Sequence, residues 1–217
     1  MAAPARKITN TGTKKNIGRF FSVKMQAGIW YESLTERDYM YLLEIDSDVL
    51  SYSSQPLKII YTLDNRQRRY TPDFLVERRR QKQVIEIKPA RQLNSEKNTK
   101  LFQCIDPIIQ EQGWEFLVIT DEMIRRGSLL NNIKLLYRYA LVPLNLQILM
   151  SCHQYFLNKP PISLKTAEEN LKSQGIFREV FLKLLFVGFL DTNLRRKIGD
   201  DSQISLSLTE TNGRFTL

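Results

Sequence analysis

Apolar positions along the chain recur first at the spacing of strands and later at that of helices. Arg19–Val23 reads as a short strand, and Ser33-Leu34-Thr35-Glu36 has the form of a capping box that opens a helix. Leu34, Met40, Tyr41, Leu42, Leu43 and Ile45 carry that helix to about Asp46. Leu57–Leu63 is β-branched and aromatic, and Asp64-Asn65 is a turn signal before Arg68-Arg69-Tyr70. Asp73–Glu77 and Gln83–Lys88 predict two more strands, joined by the charged turn Arg78–Lys82, so a meander is expected. After Pro89 the period lengthens. Leu93–Gln112 predicts a helix with Leu101, Cys104, Ile105, Ile108 and Ile109 on one face, Pro107 as a candidate kink and Gly113 as its stop. Trp114–Thr120 is a near-continuous apolar run and predicts a strand buried on both faces. Two short helices are expected from Asp121 and over Leu129–Tyr139.

From about Leu141 the character changes. Leu144–Leu157, Ser163–Lys172 and Ile176–Val187 predict three helices, broken at Pro160-Pro161 and Gly175. Phe189–Leu194 and Ile204–Leu208 predict two strands around Gly199-Asp200-Asp201. Three helices followed by a ribbon is the order of a winged helix, and a small helical cap is the plainer alternative. The expected organisation is a basic arm over residues 1–18, an α/β domain over 19–140 and a winged-helix-like domain over 141–217.

Composition removes several classes of chemistry. Two distant cysteines, Cys104 and Cys152, argue against a zinc cluster or a disulfide framework. His153 is the only histidine, so histidine-based triads and HxxxH metal sites are effectively excluded. The longest uncharged stretch, Ala140–Asn158, is too polar to span a bilayer, and the basic N-terminus lacks the apolar run of a signal peptide. A cytoplasmic protein is expected. The net charge of +9 is concentrated: residues 1–20 carry +5 and residues 66–91 carry +6, leaving the rest at −2. Focused positive charge of this kind suits a polyanion, and nucleic acid leads over an anionic membrane. Arg78, Arg79, Arg80 and Lys82 are the candidate phosphate contacts.

With histidine chemistry set aside, the acids carry the argument. Asp73 follows Pro72 at the start of one strand, and period two puts Glu86 and Lys88 on one face of the next. If these strands form a hairpin, Asp73 approaches Glu86, and two facing acids repel unless a cation lies between them. A hard divalent ion, magnesium first, suits oxygen ligands, and Glu36 could add another. Each residue also has an ordinary reading. Glu36 completes the capping box, Asp73 follows a proline as turn acids do, and Glu86 with Lys88 fits a solvated strand face. The set, in this order, is harder to account for that way.

Pro72-Asp73 followed by Glu86-Ile87-Lys88 resembles the PD-(D/E)xK signature of restriction-endonuclease-like nucleases. The surrounding text, SLTERDYMYLLEID, QPLKIIY, RRYTPDFLV, VIEIKPA and FLVITD, is more specific. It resembles TnsA, the endonuclease subunit of heteromeric transposases, including CRISPR-associated ones, well over residues 20–140 and more weakly beyond. The resemblance implies a restriction-endonuclease-like domain in which Glu36, Asp73 and Glu86 are catalytic acids that bind metal. It makes Lys88 the active-site lysine and the Ile87 carbonyl a further ligand. It implies magnesium as cofactor, with manganese expected to substitute, and cleavage at the 5′ ends of a transposon in duplex DNA. The implied partners are a DDE-type transposase and an AAA+ regulator ATPase. A non-catalytic scaffold that bridges DNA, transposase and ATPase is the second reading, and a free-standing nuclease the third.

Overall fold

The computed structural model describes residues 16–207, so the basic arm expected over residues 1–18 lies, up to residue 15, outside the described residues. The chain falls into two units that divide between Ile124 and Arg125. The first begins with an antiparallel ribbon, β1 (Gly18–Ser22) and β2 (Ala27–Tyr31), which buries Phe20, Ser22, Ala27 and Ile29 on one face. Helix α1 (Leu34–Ile45) starts where extended Ser33 accepts the Glu36 N–H at 3.1 Å. It buries Tyr39, Met40, Leu42 and Leu43 at helical spacing.

Next come β3 (Val49–Ser54), β4 (Ile59–Leu63), β5 (Arg66–Tyr70), β6 (Phe74–Arg78), β7 (Lys82–Lys88), α2 (Glu96–Gln110), β8 (Glu115–Thr120) and the single turn α3 (Asp121–Ile124). A mixed sheet in the order β3-β6-β7-β8 forms the centre. Its first three strands are antiparallel, and β8 joins β7 in parallel after the α2 crossover. Strand β7 is the heart of the unit, with Gln83 to Ile87 all buried. Removing Val84 and Ile85 from water stabilises the fold by roughly 1.5–3 kcal/mol each. Pro107 sits inside α2 without ending it.

The sheet differs from the expected meander in three ways. Strands β4 and β5 pair only with each other among the described residues. The place beside β6 belongs to β3, a serine-rich strand whose bulge between Val49 and Ser51 breaks the alternation that would mark it. Strand β8 is an edge strand, only partly covered from Glu115 to Val118. It is not buried on both faces as its apolar run predicts, since at the sheet edge its side chains have neighbours on one side only.

The second unit contains α4 (Leu129–Tyr137), α5 (Leu146–Phe156), β9 (Ile162–Ser163), α6 (Leu164–Leu171), α7 (Arg178–Val187), β10 (Leu190–Asp191) and β11 (Gln203–Leu206). The three short strands pair antiparallel in the order β10-β11-β9. Two-residue β9 leaves no mark in the sequence, since Ser163 also caps α6 through the Thr166 N–H at 3.1 Å. The unit starts at Arg125, ahead of the composition change at Leu141, because α4 packs on α7. Buried Asn132 of α4 also holds the loop before β11, donating to the carbonyls of Leu194 (2.8 Å) and Arg196 (2.6 Å) and accepting from Ile198 N–H (3.0 Å). Arg178 at the start of α7 bridges Glu168 (2.8 Å) and Asp200 (2.6 Å). Among the described residues no helix is long and apolar enough to cross a membrane.

Candidate active site

The site is assembled at the end of the β6–β7 pair. Phe74 lies opposite Ile85, so the residue before β6, Asp73, falls beside Glu86. Asp73 Oδ2 accepts the Ile87 N–H at 2.7 Å, which locks the acid to the strand that carries Glu86. Period two then brings Lys88 onto the face of Glu86, and its ammonium contacts Glu86 Oε1 directly. The other Glu86 oxygen, Oε2, accepts a 2.5 Å bond from the Tyr70 hydroxyl. Glu36 arrives from α1. Its backbone N–H is held by Ser33, while its carboxylate turns back to accept the Glu32 N–H at 2.8 Å. Capping and proximity to the site are therefore compatible in one residue.

The electrostatics show that these acids share one environment. Burial raises the Asp73 carboxyl well above its ordinary range, and the charges of Glu86 and Glu36 raise it further. The bond from Ile87 and the charge of Lys88 act in the opposite direction. Glu36 is raised in the same way, by burial first and then by the charges of Glu32 and Glu86, against the bonds from Glu32 and Ser33. The Tyr70 phenol is pushed up by burial, by the negative charge of Glu86 and by its bond to it, so it remains a protonated donor. A group of buried acids whose charges oppose one another is the environment that a hard cation would relieve. Carboxylate oxygens are the donors that hard divalent cations take. Among the described residues, however, no three His, Cys, Asp or Glu side chains converge into a ready metal-binding group. Lys88, Tyr70 and the Ile87 N–H occupy oxygens that such an ion would use.

The structure thus brings together Asp73, Glu86 and Lys88, with Ile87 supplying its N–H to Asp73, and leaves Glu36 within reach of their charges without a direct contact to them. The four proposed phosphate contacts separate. Arg78 is turned inward, its side chain 14% exposed, and pairs with Asp46 (2.8 Å) and Asp48 (3.2 Å) while donating to Gln83 at 2.6 Å. Those partners make it a brace of the α1–β3 connection, not a group presented to solvent. Arg79, whose guanidinium lies 3.5 Å from the Ser47 carbonyl, and Arg80 are both exposed. Lys82, 44% exposed, lies 3.8 Å from Glu77 and over the Trp114 ring.

Two site residues escape the sequence reading. Tyr70 looks like an ordinary strand aromatic, and its only signal is the short distance along the chain to Pro72-Asp73. Glu32 is buried and adds its charge to that of Glu36, yet it precedes the helix as any loop acid would. Beyond Lys88, Asp121 pins the following segment by accepting the Ala90 N–H at 2.8 Å.

Residues 46–121 match the family model of the TnsA-like endonuclease N-terminal domain. The matched stretch runs from β3 through β8 and includes Asp73, Glu86 and Lys88, while Glu36 and the second unit lie outside it. Over this stretch the chain is similar to TnsA-type transposase subunits, as its motifs indicate. A search of curated proteins found no match.

Proposed function

We propose that the chain is a metal-dependent DNA endonuclease subunit of a transposase, hydrolysing phosphodiesters at the 5′ ends of the transposon during cut-and-paste transposition. The observation that carries this reading is the set of mutually repelling acids beside Lys88, of which Asp73 and Glu86 lie inside the stretch that matches an endonuclease family. Glu36, Asp73, Glu86 and the Ile87 carbonyl would hold magnesium, with manganese substituting. When bound, the ion would supply an activated water and charge stabilisation at phosphorus. The chain's own residues supply the rest. Lys88 places a positive charge where the phosphate and its attacking water gather, Tyr70 fixes the rotamer of Glu86, and Ile87 N–H fixes Asp73.

The restriction-endonuclease-like assignment of the first unit is supported by its order of helix, three antiparallel strands, helix and parallel strand. For the second unit we infer a winged helix. The support is the succession α5, β9, α6, α7, β10, β11 with β9 pairing β11, and the basic loop Arg195-Arg196-Lys197 in the position of the wing. Duplex DNA, a DDE-type transposase and an AAA+ regulator ATPase are the proposed partners, in a bacterial cytoplasm.

Asp73→Asn tests the nuclease reading. In the assembled system it is expected to abolish cleavage while partner binding and folding persist, and cleavage at the wild-type rate would overturn the proposal. One observation favours the second reading, a non-catalytic scaffold: Lys88 neutralises Glu86 directly, and no three acids converge among the described residues. Retention of transposition by Asp73→Asn would select it.

A further inference from the structure

We propose that the β4–β5 ribbon is a docking arm for duplex DNA that lies in the major groove and holds the cleavable strand at the carboxylates. The proposal rests on the nuclease reading above and names the element that engages the substrate.

The shape comes first. The two five-residue strands pair from Ile59↔Tyr70 to Leu63↔Arg66 and turn at Asp64-Asn65, both left-handed at φ 52 and 55. Tight turns of this kind suit the twist of a free-standing hairpin. A two-stranded ribbon is one of the few elements that enter the major groove. It is anchored at its base and along β4: Ile59 and Tyr70 join Val84, Ile105 and Ile109 in one apolar cluster, and Tyr61 packs against it. Beyond that base the whole run Arg66–Arg69 is exposed.

Charge and face chemistry point the same way. Arg66, Arg68 and Arg69 face a single acid in the ribbon, Asp64, whose side chain is 71% exposed and 3.5 Å from Arg68. Such a solvated pair offsets little of the positive charge. Alternation divides the ribbon into two faces. Ile60, Thr62, Gln67 and Arg69 share one, and all four are exposed. An apolar group, a hydroxyl, an amide and a guanidinium are the groups that contact thymine methyls, adenine and guanine edges. Arg66 and Arg68 lie on the opposite face, suited to the flanking phosphates. The connection to the chemistry is direct, since Tyr70 ends β5 with its hydroxyl on Glu86 and the chain reaches Asp73 three residues later.

Fluorescence anisotropy of the full chain on a short labelled duplex, across a salt series, tests the proposal. Arg66→Ala/Arg68→Ala/Arg69→Ala is expected to weaken binding about ten-fold or more and to flatten the salt dependence by roughly two to three units of log–log slope. Unchanged affinity and slope in that variant would overturn the ribbon assignment, as would absence of wild-type binding at every salt concentration. A second arm needs no variant. A duplex whose major groove is filled by glucosylated 5-hydroxymethylcytosine is expected to bind wild type about ten-fold more weakly, and equal binding would exclude groove docking. These readouts are of binding alone, whereas the nuclease reading fails on cleavage by Asp73→Asn, so either can fall without the other.

Discussion

The first unit contains two ribbons of the same size and opposite character. Both β1–β2 and β4–β5 pair five-residue strands antiparallel, apart from the central sheet. The β1–β2 ribbon is closed on one side. Glu44 of α1 accepts from Ser22 Oγ (2.5 Å), Tyr52 Oη (2.7 Å), Val23 N–H (2.8 Å) and Lys24 N–H (3.0 Å), so a buried carboxylate fastens its turn. Lys24 lies across the same region with its ammonium on the carbonyls of Asp46 (2.5 Å) and Val49 (2.6 Å), and burial pulls its pKa down to about 8. The β4–β5 ribbon is held by the apolar packing of Ile59, Tyr61 and Tyr70, and among the described residues no buried carboxylate fastens its turn. Secondary structure alone does not decide whether a ribbon supports a site or meets a ligand. What decides it is which polar groups the rest of the fold has already satisfied.

The contrast can be broken most strongly at Glu44. Glu44→Ala leaves a buried hydroxyl, a phenol and two amides without their acceptor, and is expected to cost about 3–5 kcal/mol in denaturant unfolding. A loss below about 1 kcal/mol would mean that the turn does not depend on this carboxylate. Tyr70→Phe attacks the base of the other ribbon. Removing one hydrogen bond to a buried carboxylate is expected to cost about 1–3 kcal/mol, measured in the same way.

Asp73→Asn should act with the opposite sign. Burial and the neighbouring acids keep Asp73 protonated to higher pH in the folded chain than in the unfolded one. Its ionisation therefore opposes folding: stability is fully present below about pH 4 and is lost as pH rises towards neutral. The asparagine variant is expected to unfold a few degrees higher at pH 7 and to lose that advantage near pH 3.5, as followed by thermal melts across pH. The smallest effect belongs to the ribbon tip. Arg66→Ala and Arg68→Ala should each alter stability by less than about 0.5 kcal/mol, because both side chains lie in water. A larger loss would show that the tip is part of the folded core.

The sequence displays some of this and conceals the rest for identifiable reasons. The α1 start, the β6 and β7 strands and the α2–β8 step are legible because caps, period two and period 3.6 are local properties. The juxtaposition of Asp73, Glu86 and Lys88 follows from the same alternation once β6 and β7 pair. Strand β3 is hidden by its serines and its bulge, and β2 by its glycine and brevity. The inward turn of Arg78 is illegible, since its partners Asp46 and Asp48 lie some thirty residues earlier. Tyr70 fails for the same reason: nothing in its immediate surroundings reveals that its hydroxyl meets Glu86.

The Asn132 clamp has a consequence for proteolysis. Arg195, Arg196 and Lys197 are exposed and form a run that a trypsin-like protease would recognise by side chain. Cleavage requires more than a matching side chain, because the chain must open into an extended strand across the protease cleft. Here the carbonyls on both sides of Arg195 and the amide following Lys197 are held by one buried amide from α4. A single asparagine thereby ties an exposed basic loop to the buried face of a helix, and trypsin is expected to cut it slowly.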